Sequence, residues 1–190
     1  SRRSTASSSS AGVRVRFDDL VGPIELEDLR RHMDHVCTLP FRGEPPELRE
    51  LTPHAQMEIL LRNGWGADAA LRADLVAECN RVLQDLFVEA ITIEPAARTF
   101  LQEMRRAVKV GLVSNYPCGD AIRRALAKIN IDGLLDPVVI SGEVGYVKPH
   151  SLPFATALAG LGLPPERVLF VGDRWDADMV GARNAGMKTC

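Results

Sequence analysis

Apolar positions change their spacing about halfway along the chain. From Pro23 to Ala107 they recur every three or four residues, the mark of helices that bury one face. Ile24 to Val36 is acidic early and basic later, as a helix dipole prefers. Pro46 to Arg62 carries Leu48, Leu51, Ile59 and Leu60 and meets a stop signal at Asn63-Gly64. Ala67 to Ala90 places Leu71, Leu75, Val76, Leu83, Leu86 and Phe87 near a 3.6 period, and Pro95 opens a helix that Thr99 to Ala107 continues. From Val108 onward short apolar runs alternate with helical stretches. Strands are predicted at Val108 to Val113, Pro137 to Ser141 and Val168 to Val171, with helices at Asp120 to Ile129, Pro153 to Leu161 and Asp178 to Ala185. Such alternation implies right-handed βαβ units and an α/β fold, a parallel sheet with helices on both faces.

Composition narrows the function classes. The 190 residues carry 23 Lys+Arg against 25 Asp+Glu, a net charge of -2, which offers no basic footprint for nucleic acid. No apolar run approaches the ~20 residues of a membrane helix. Cys37, Cys79, Cys118 and Cys190 are too far apart for a zinc site or a disulfide framework, so reduced thiols, each a small buried hydrophobe, in a cytoplasmic protein are expected. Residues 1–12 are Ser-rich, free of acids and without a signal-peptide apolar core; disorder is expected there. Gly186 to Cys190 reads as the start of another strand that stops at once, so a core truncated at that end is expected.

Chemistry in an open parallel sheet gathers at the carboxyl ends of its strands. Three polar clusters fall there. Val113-Ser114-Asn115 offers a small hydroxyl and free backbone N–H groups, suited to an anion, although Ser-Asn is also ordinary turn chemistry. Gly145-Tyr146-Val147-Lys148-Pro149 holds a cation in a loop, where Pro149 keeps Lys148 out of the helical region. Leu169-Phe170-Val171-Gly172-Asp173 delivers a carboxylate to a strand end, followed by Asp176 and Asp178. Carboxylates gathered in this way repel one another without a cation, and hard oxygen donors point to Mg²⁺. Asp176 reads equally well as a helix-capping acid on a solvated turn.

The ordered set Leu112-Val113-Ser114-Asn115, Val147-Lys148-Pro149 and Val171-Gly172-Asp173 with Asp178 and Gly181 to Met187 closely resembles motifs II, III and IV of the haloacid dehalogenase-like (HAD) hydrolase superfamily. Ile140-Ser141-Gly142-Glu143-Val144-Gly145 also looks like the segment before that family's lysine. The resemblance implies a Rossmannoid α/β core over residues 95–190 and a mostly helical cap over 23–94. It implies Mg²⁺-dependent hydrolysis of a small phosphorylated metabolite through an aspartyl-phosphate. Ser114 and the backbone N–H of Asn115 would then hold the phosphoryl group, and Lys148 would bridge it to the nucleophile. Asp173 would bind Mg²⁺, with Asp178 ligating the ion or orienting its waters. That division of labour suits phosphoryl transfer, which is mostly positioning and charge neutralisation.

One departure stands out. The family's D-x-D-x-T nucleophile motif is absent. Its local counterpart, Val13-Arg14-Val15-Arg16-Phe17-Asp18-Asp19-Leu20, puts arginines in what should be an apolar strand and Leu20 where the second Asp belongs. Residues 13–22 are read as a possible remnant of the first core strand, Asp18-Asp19 as a solvated turn, and activity as impaired. A missing central strand would leave unpaired sheet edges.

The alternatives are a metal-free 2-haloacid dehalogenase, for which the acids of the third cluster would repel a carboxylate substrate, and a non-catalytic HAD-like binding domain. A response-regulator receiver is disfavoured because its acids precede its Ser and Lys. His32 and His35 beside Asp34 read as a helix face rather than a metal site. Trp175 is placed at the substrate entrance or in loop packing; Arg62, Trp65 and Arg72 lie in the expected cap with nothing to single them out.

Overall fold

The computed structural model describes residues 17–43 and 46–190. Readings that fall on 1–16 lie outside the described residues. The chain divides into two compact units: residues up to Arg42 with Leu51–Ile91, and Gly43 and 46–50 with Thr92–Cys190.

The first unit is helical: α1 (Leu26–Thr38), a 3₁₀ turn Leu39–Phe41, α2 (Pro53–Trp65), α3 (Ala67–Ala70) and α4 (Ala73–Ala90). Thr52 starts α2, its side chain accepting from the Ala55 N–H at 3.2 Å while Pro53 takes the first-turn position that needs no N–H. The helix expected from Pro46 therefore begins later. The helix expected from Ala67 to Ala90 breaks at Leu71-Arg72, where Arg72 is extended, and Leu71 lies exposed instead of in the core.

Residues 17–21 are helical, not the end of a strand. Phe17 is fully buried with Leu29, Met57, Leu61, Val76 and Cys79, and meets Trp65 edge-on at 5.8 Å. A turn follows at Gly22, whose φ of 100° favours glycine. The Asp18 Oδ1 accepts from the Ile24 N–H at 3.1 Å and the Trp65 indole N–H donates to the Gly22 carbonyl at 2.8 Å. Phe17 is thus an anchor of the helical core, which explains why the strand reading fails from that residue on. Trp65, left unassigned by the sequence, ties this turn to α2.

The second unit contains α5 (Pro95–Ala107), β1 (Leu112–Ser114), α6 (Gly119–Lys128), β2 (Val138–Ile140), α7 (Ser141–Val144), α8 (Ser151–Leu161), β3 (Leu169–Phe170), a π-helical turn Trp175–Met179, α9 (Val180–Asn184) and β4 (Lys188–Thr189). The α/β alternation holds, and both strand pairings are parallel. The register sets Leu112 against Val138 and Leu169 against Lys188. Instead of one sheet, however, the described strands form two pairs, β1 with β2 and β3 with β4. Within them β1 and β3 each pair along one edge. Leu169 and Val171 are exposed, unlike the two-sided burial expected of a continuous apolar strand. The final segment does form its strand, with the Lys188 N–H donating to Val168 and the Cys190 N–H to Phe170.

Of the four thiols only Cys79 is buried; Cys37 and Cys190 are exposed and Cys118 is intermediate. Burial and the neighbouring Glu78 push the Cys79 thiol up to about 11. Alkylation of the native protein at pH 8 should therefore modify Cys37 and Cys190 and spare Cys79 until denaturant is added, as read by mass spectrometry. The sign for stability follows from linkage. A thiol raised in the folded state favours folding below its ordinary value of 9.0 and loses that contribution as pH climbs toward about 11.

Candidate functional site

Lys148 is the centre of the second unit's polar interior. Its ammonium lies 2.7 Å from Asp178 Oδ1 and 2.9 Å from the Val113 carbonyl, and 5.5 Å from the centre of the Phe170 ring. The two charged side chains are only 11% and 8% exposed. Leu112 turns its N–H toward Pro137 beside β2, so Val113, the next residue along β1, turns its carbonyl to the opposite edge. The lysine therefore occupies hydrogen-bonding capacity on the edge of β1 that faces away from β2.

The backbone of Lys148 is clasped as well. Asn115 Oδ1 accepts from the Lys148 N–H at 2.8 Å, and Asn115 Nδ2 donates to the Lys148 carbonyl at 3.1 Å. This side-chain role was not anticipated: Asn115 was expected to present its backbone N–H to a phosphate. Ser114, the last residue of β1, is half-buried, and no side-chain partner of its hydroxyl is found among the described residues.

Asp178 sits in the π-helical turn, where the Asp178 and Met179 N–H groups both donate to the Arg174 carbonyl. The Arg174 N–H donates to Asp178 Oδ2 at 3.2 Å, and a Cβ at Gly172 would collide with this carboxylate. Glycine at that position is what lets the chain after β3 close on Asp178. Asp173 is exposed at the carboxyl end of β3 and makes no side-chain hydrogen bond among the described residues. Asp176 is exposed and pairs with the Arg174 guanidinium at 2.9 Å, a hydrogen bond that holds its carboxyl below the usual range. Trp175 is exposed beneath the Arg183 guanidinium at 5.0 Å.

One supporting strap was missed. Residues 46–50, assigned by their spacing to a cap helix, run antiparallel to the segment before Lys148. The Val147 N–H donates to the Leu48 carbonyl at 2.9 Å and the Glu50 N–H to the Gly145 carbonyl at 3.0 Å. Buried Ser141 donates to the Glu50 carboxylate at 2.5 Å and accepts from the Tyr116 N–H at 2.7 Å. The strap thereby reaches the loop after β1. Gly142 packs so closely on Pro117 in that loop that a Cβ would collide with its backbone.

A family model described as haloacid dehalogenase-like hydrolase matches residues 41–186. The chain belongs to this family. It is 34% identical over 113 residues to a pyrimidine 5'-nucleotidase of Escherichia coli, covering 58% of this chain and 49% of that relative. It is 36% identical over 91 residues to a glyceraldehyde 3-phosphate phosphatase of Methanothermobacter thermautotrophicus, covering 47% of this chain and 39% of the relative. A pyrophosphatase of Bacillus cereus is 39% identical over 90 residues, 47% of this chain and 41% of that protein. The chain thus spans about half or less of the length of these curated relatives. A 2-haloacid dehalogenase from Pseudomonas syringae shares the fold with a TM-score of 0.68 at 19% identity, covering 98% of this chain and 78% of that one. The protein is therefore a HAD-like hydrolase with phosphatase relatives.

The expected magnesium site can be tested on donors. Mg²⁺ takes about six oxygens in near-octahedral geometry. Among the described residues no group of three or more His, Cys, Asp or Glu side chains gathers to hold a metal, His32 and His35 included. Asp178 has both oxygens engaged, one by the Lys148 ammonium. Asp173 and Asp178, as they stand in this HAD-like core, do not fit the ion.

Proposed function

We propose that the protein acts in the cytoplasm as a phosphatase, hydrolysing the phosphate ester of a small metabolite. The observation that carries this reading is the placement of Lys148, a buried ammonium bonded to the β1 carbonyl one residue before Ser114. Ser114 and the N–H groups after it would receive the phosphoryl oxygens, with Lys148 neutralising their charge. The similarity to a pyrimidine 5'-nucleotidase, a glyceraldehyde 3-phosphate phosphatase and a pyrophosphatase supports phosphate-ester or phosphoanhydride chemistry. The helical unit, residues 17–42 and 51–91, would serve as the cap that selects the substrate.

The aspartyl nucleophile implied by the family is assigned to no described residue. Asp18 lies in the helical unit with one oxygen bonded to the Ile24 N–H, and Asp178 is the only carboxylate within ion-pair distance of Lys148 among the described residues. Turnover by this chain is accordingly proposed to be impaired. A magnesium ion ordinarily takes one or two carboxylates together with water and phosphate oxygens, so Asp173 and Asp178 would suffice in number, but Asp178 is already held by the Lys148 ammonium and the Arg174 N–H.

The test is release of inorganic phosphate from p-nitrophenyl phosphate, with chloride release from 2-chloropropionate run in parallel. Slow phosphate release that drops about a hundredfold in Lys148→Ala is expected, the scale of losing one charge-stabilising donor. Chloride release without phosphate release would favour the dehalogenase. Silence in both assays, with inorganic phosphate still bound, would favour a binding domain.

A further inference from the structure

The mismatch between the acids and a metal ion has a specific cause. Asp178 already has a cation, and that cation is covalently part of the chain. We infer that the Lys148 ammonium is the resident counter-cation of Asp178, and that a divalent ion reaches this carboxylate only by displacing it. The inference stands on the geometry of the pair and is independent of the substrate.

Four restraints hold the lysine in place. Its ammonium is bonded to Asp178 Oδ1 and to the Val113 carbonyl, it faces the Phe170 ring, and both its backbone polar groups are clasped by Asn115. The other carboxylate oxygen is crowded as well, because Oδ2 accepts from the Arg174 N–H and packs on Gly172. A metal at its usual distance of about 2.1 Å from Oδ1 would stand within roughly 4 Å of a lysine ammonium left in place. Both being cations in a site from which water is largely excluded, their repulsion would be weakly screened. Binding a divalent ion at Asp178 thus requires the ammonium to leave Oδ1, which costs the Val113 hydrogen bond and the ring contact as well. Asp173, exposed and without a side-chain hydrogen bond among the described residues, can supply one ligand to an incoming ion but cannot compensate for those losses.

The consequence is competition between two cations for one carboxylate. It can be read without any activity. Mn²⁺, which is paramagnetic and accepts the same oxygen donors as Mg²⁺, is titrated into the full chain by electron paramagnetic resonance, alongside Lys148→Met and Lys148→Met with Asp178→Asn. Wild type should bind weakly, Lys148→Met about tenfold or more tightly once the competing ion pair is gone, and the double variant no better than wild type. Circular dichroism checks that each variant is folded.

A second measurement needs no variant. Acylation of Lys148 by a water-soluble N-hydroxysuccinimide ester, followed by mass spectrometry, should be slow in the metal-free protein and faster at high Mn²⁺, because displacement exposes the amine. Equal Mn²⁺ affinity in wild type and a folded Lys148→Met would overturn the inference. Saturable Mn²⁺ binding at Asp178 with Lys148 still protected would overturn it too. Either result leaves the phosphatase reading untouched, since that is read from phosphate release.

Discussion

Asp178→Ala should destabilise the α/β unit by about 3–5 kcal/mol, the usual consequence of stranding one member of a buried ion pair. The side chains of Lys148 and Asp178 are 11% and 8% exposed, so solvent offers the widowed ammonium little relief. Among the described residues, what remains to the Lys148 ammonium is the Val113 carbonyl and the Phe170 ring, neither of which carries a formal charge. The π-helical turn loses support as well, because Asp178 Oδ2 accepts from the Arg174 N–H within it. Urea denaturation followed by circular dichroism measures the change through the transition midpoint. Lys148→Met combined with Asp178→Leu removes both charges and should recover most of the loss, since a buried pair is about as stable as apolar residues of similar volume. A midpoint unmoved by Asp178→Ala would mean that the pair is hydrated in solution. The competition with divalent ions would then lose its physical basis.

The same pair shows where sequence reading stops. Lys148 and Asp178 were both singled out in the sequence, through the motifs around Pro149 and Gly172-Asp173. Their types suggested a cation for a phosphate and an acid for a metal. Nothing in one-dimensional spacing says that two opposite charges will neutralise each other, because that depends on how the α7–α8 loop and the π-helical turn meet. Asn115 is similar: its neighbours marked its backbone N–H as an anion donor, and spacing did not reveal that its side chain also holds the Lys148 backbone.

Local periodicity served the fold well wherever an element buries a face against its sequence neighbours. The α/β alternation from β1 to β4 is of this kind, and so are α1 and α4, whereas α5 forms its helix with no residue buried. It misled where pairing is long-range. Residues 46–50 carry an apolar spacing that suits a helix, but their backbone groups find partners in Gly145 and Val147. A polar residue in that strap, Glu50, then anchors Ser141, a contact no local pattern encodes. Phe17 followed the same logic in reverse. The alternation before it suggested a strand, and burial against Leu29, Met57 and Trp65 places it in a helical core. The single parallel sheet expected from the alternation resolves into two pairs because alternation predicts direction and handedness but says nothing about which edges meet.

Phe154→Ala should cost about as much as breaking the ion pair, about 3–5 kcal/mol, by a different route. Phe154 on α8 is fully buried in a small apolar cluster with Ala182 and Met187, and its ring meets Phe170 at 5.3 Å. Gly181 faces the ring so closely that a Cβ there would collide with it. The ring is therefore the spacer on which α9 rests and through which α8 is joined to β3. Truncation leaves a cavity that a helix built around glycine and alanine cannot fill, since neither Gly181 nor Ala182 has a side chain able to swing in. Phe154→Leu keeps most of the volume and should cost markedly less. The functional corollary is local: α9 continues directly from the turn carrying Asp178, so a loosened α9 should loosen the Lys148–Asp178 contact. Faster acylation of Lys148 in folded Phe154→Ala than in Phe154→Leu, without metal, is the expected result. Equal acylation rates would show that the turn is held by Arg174 and Gly172 alone, and that the aromatic cluster stabilises the unit without positioning its charged pair.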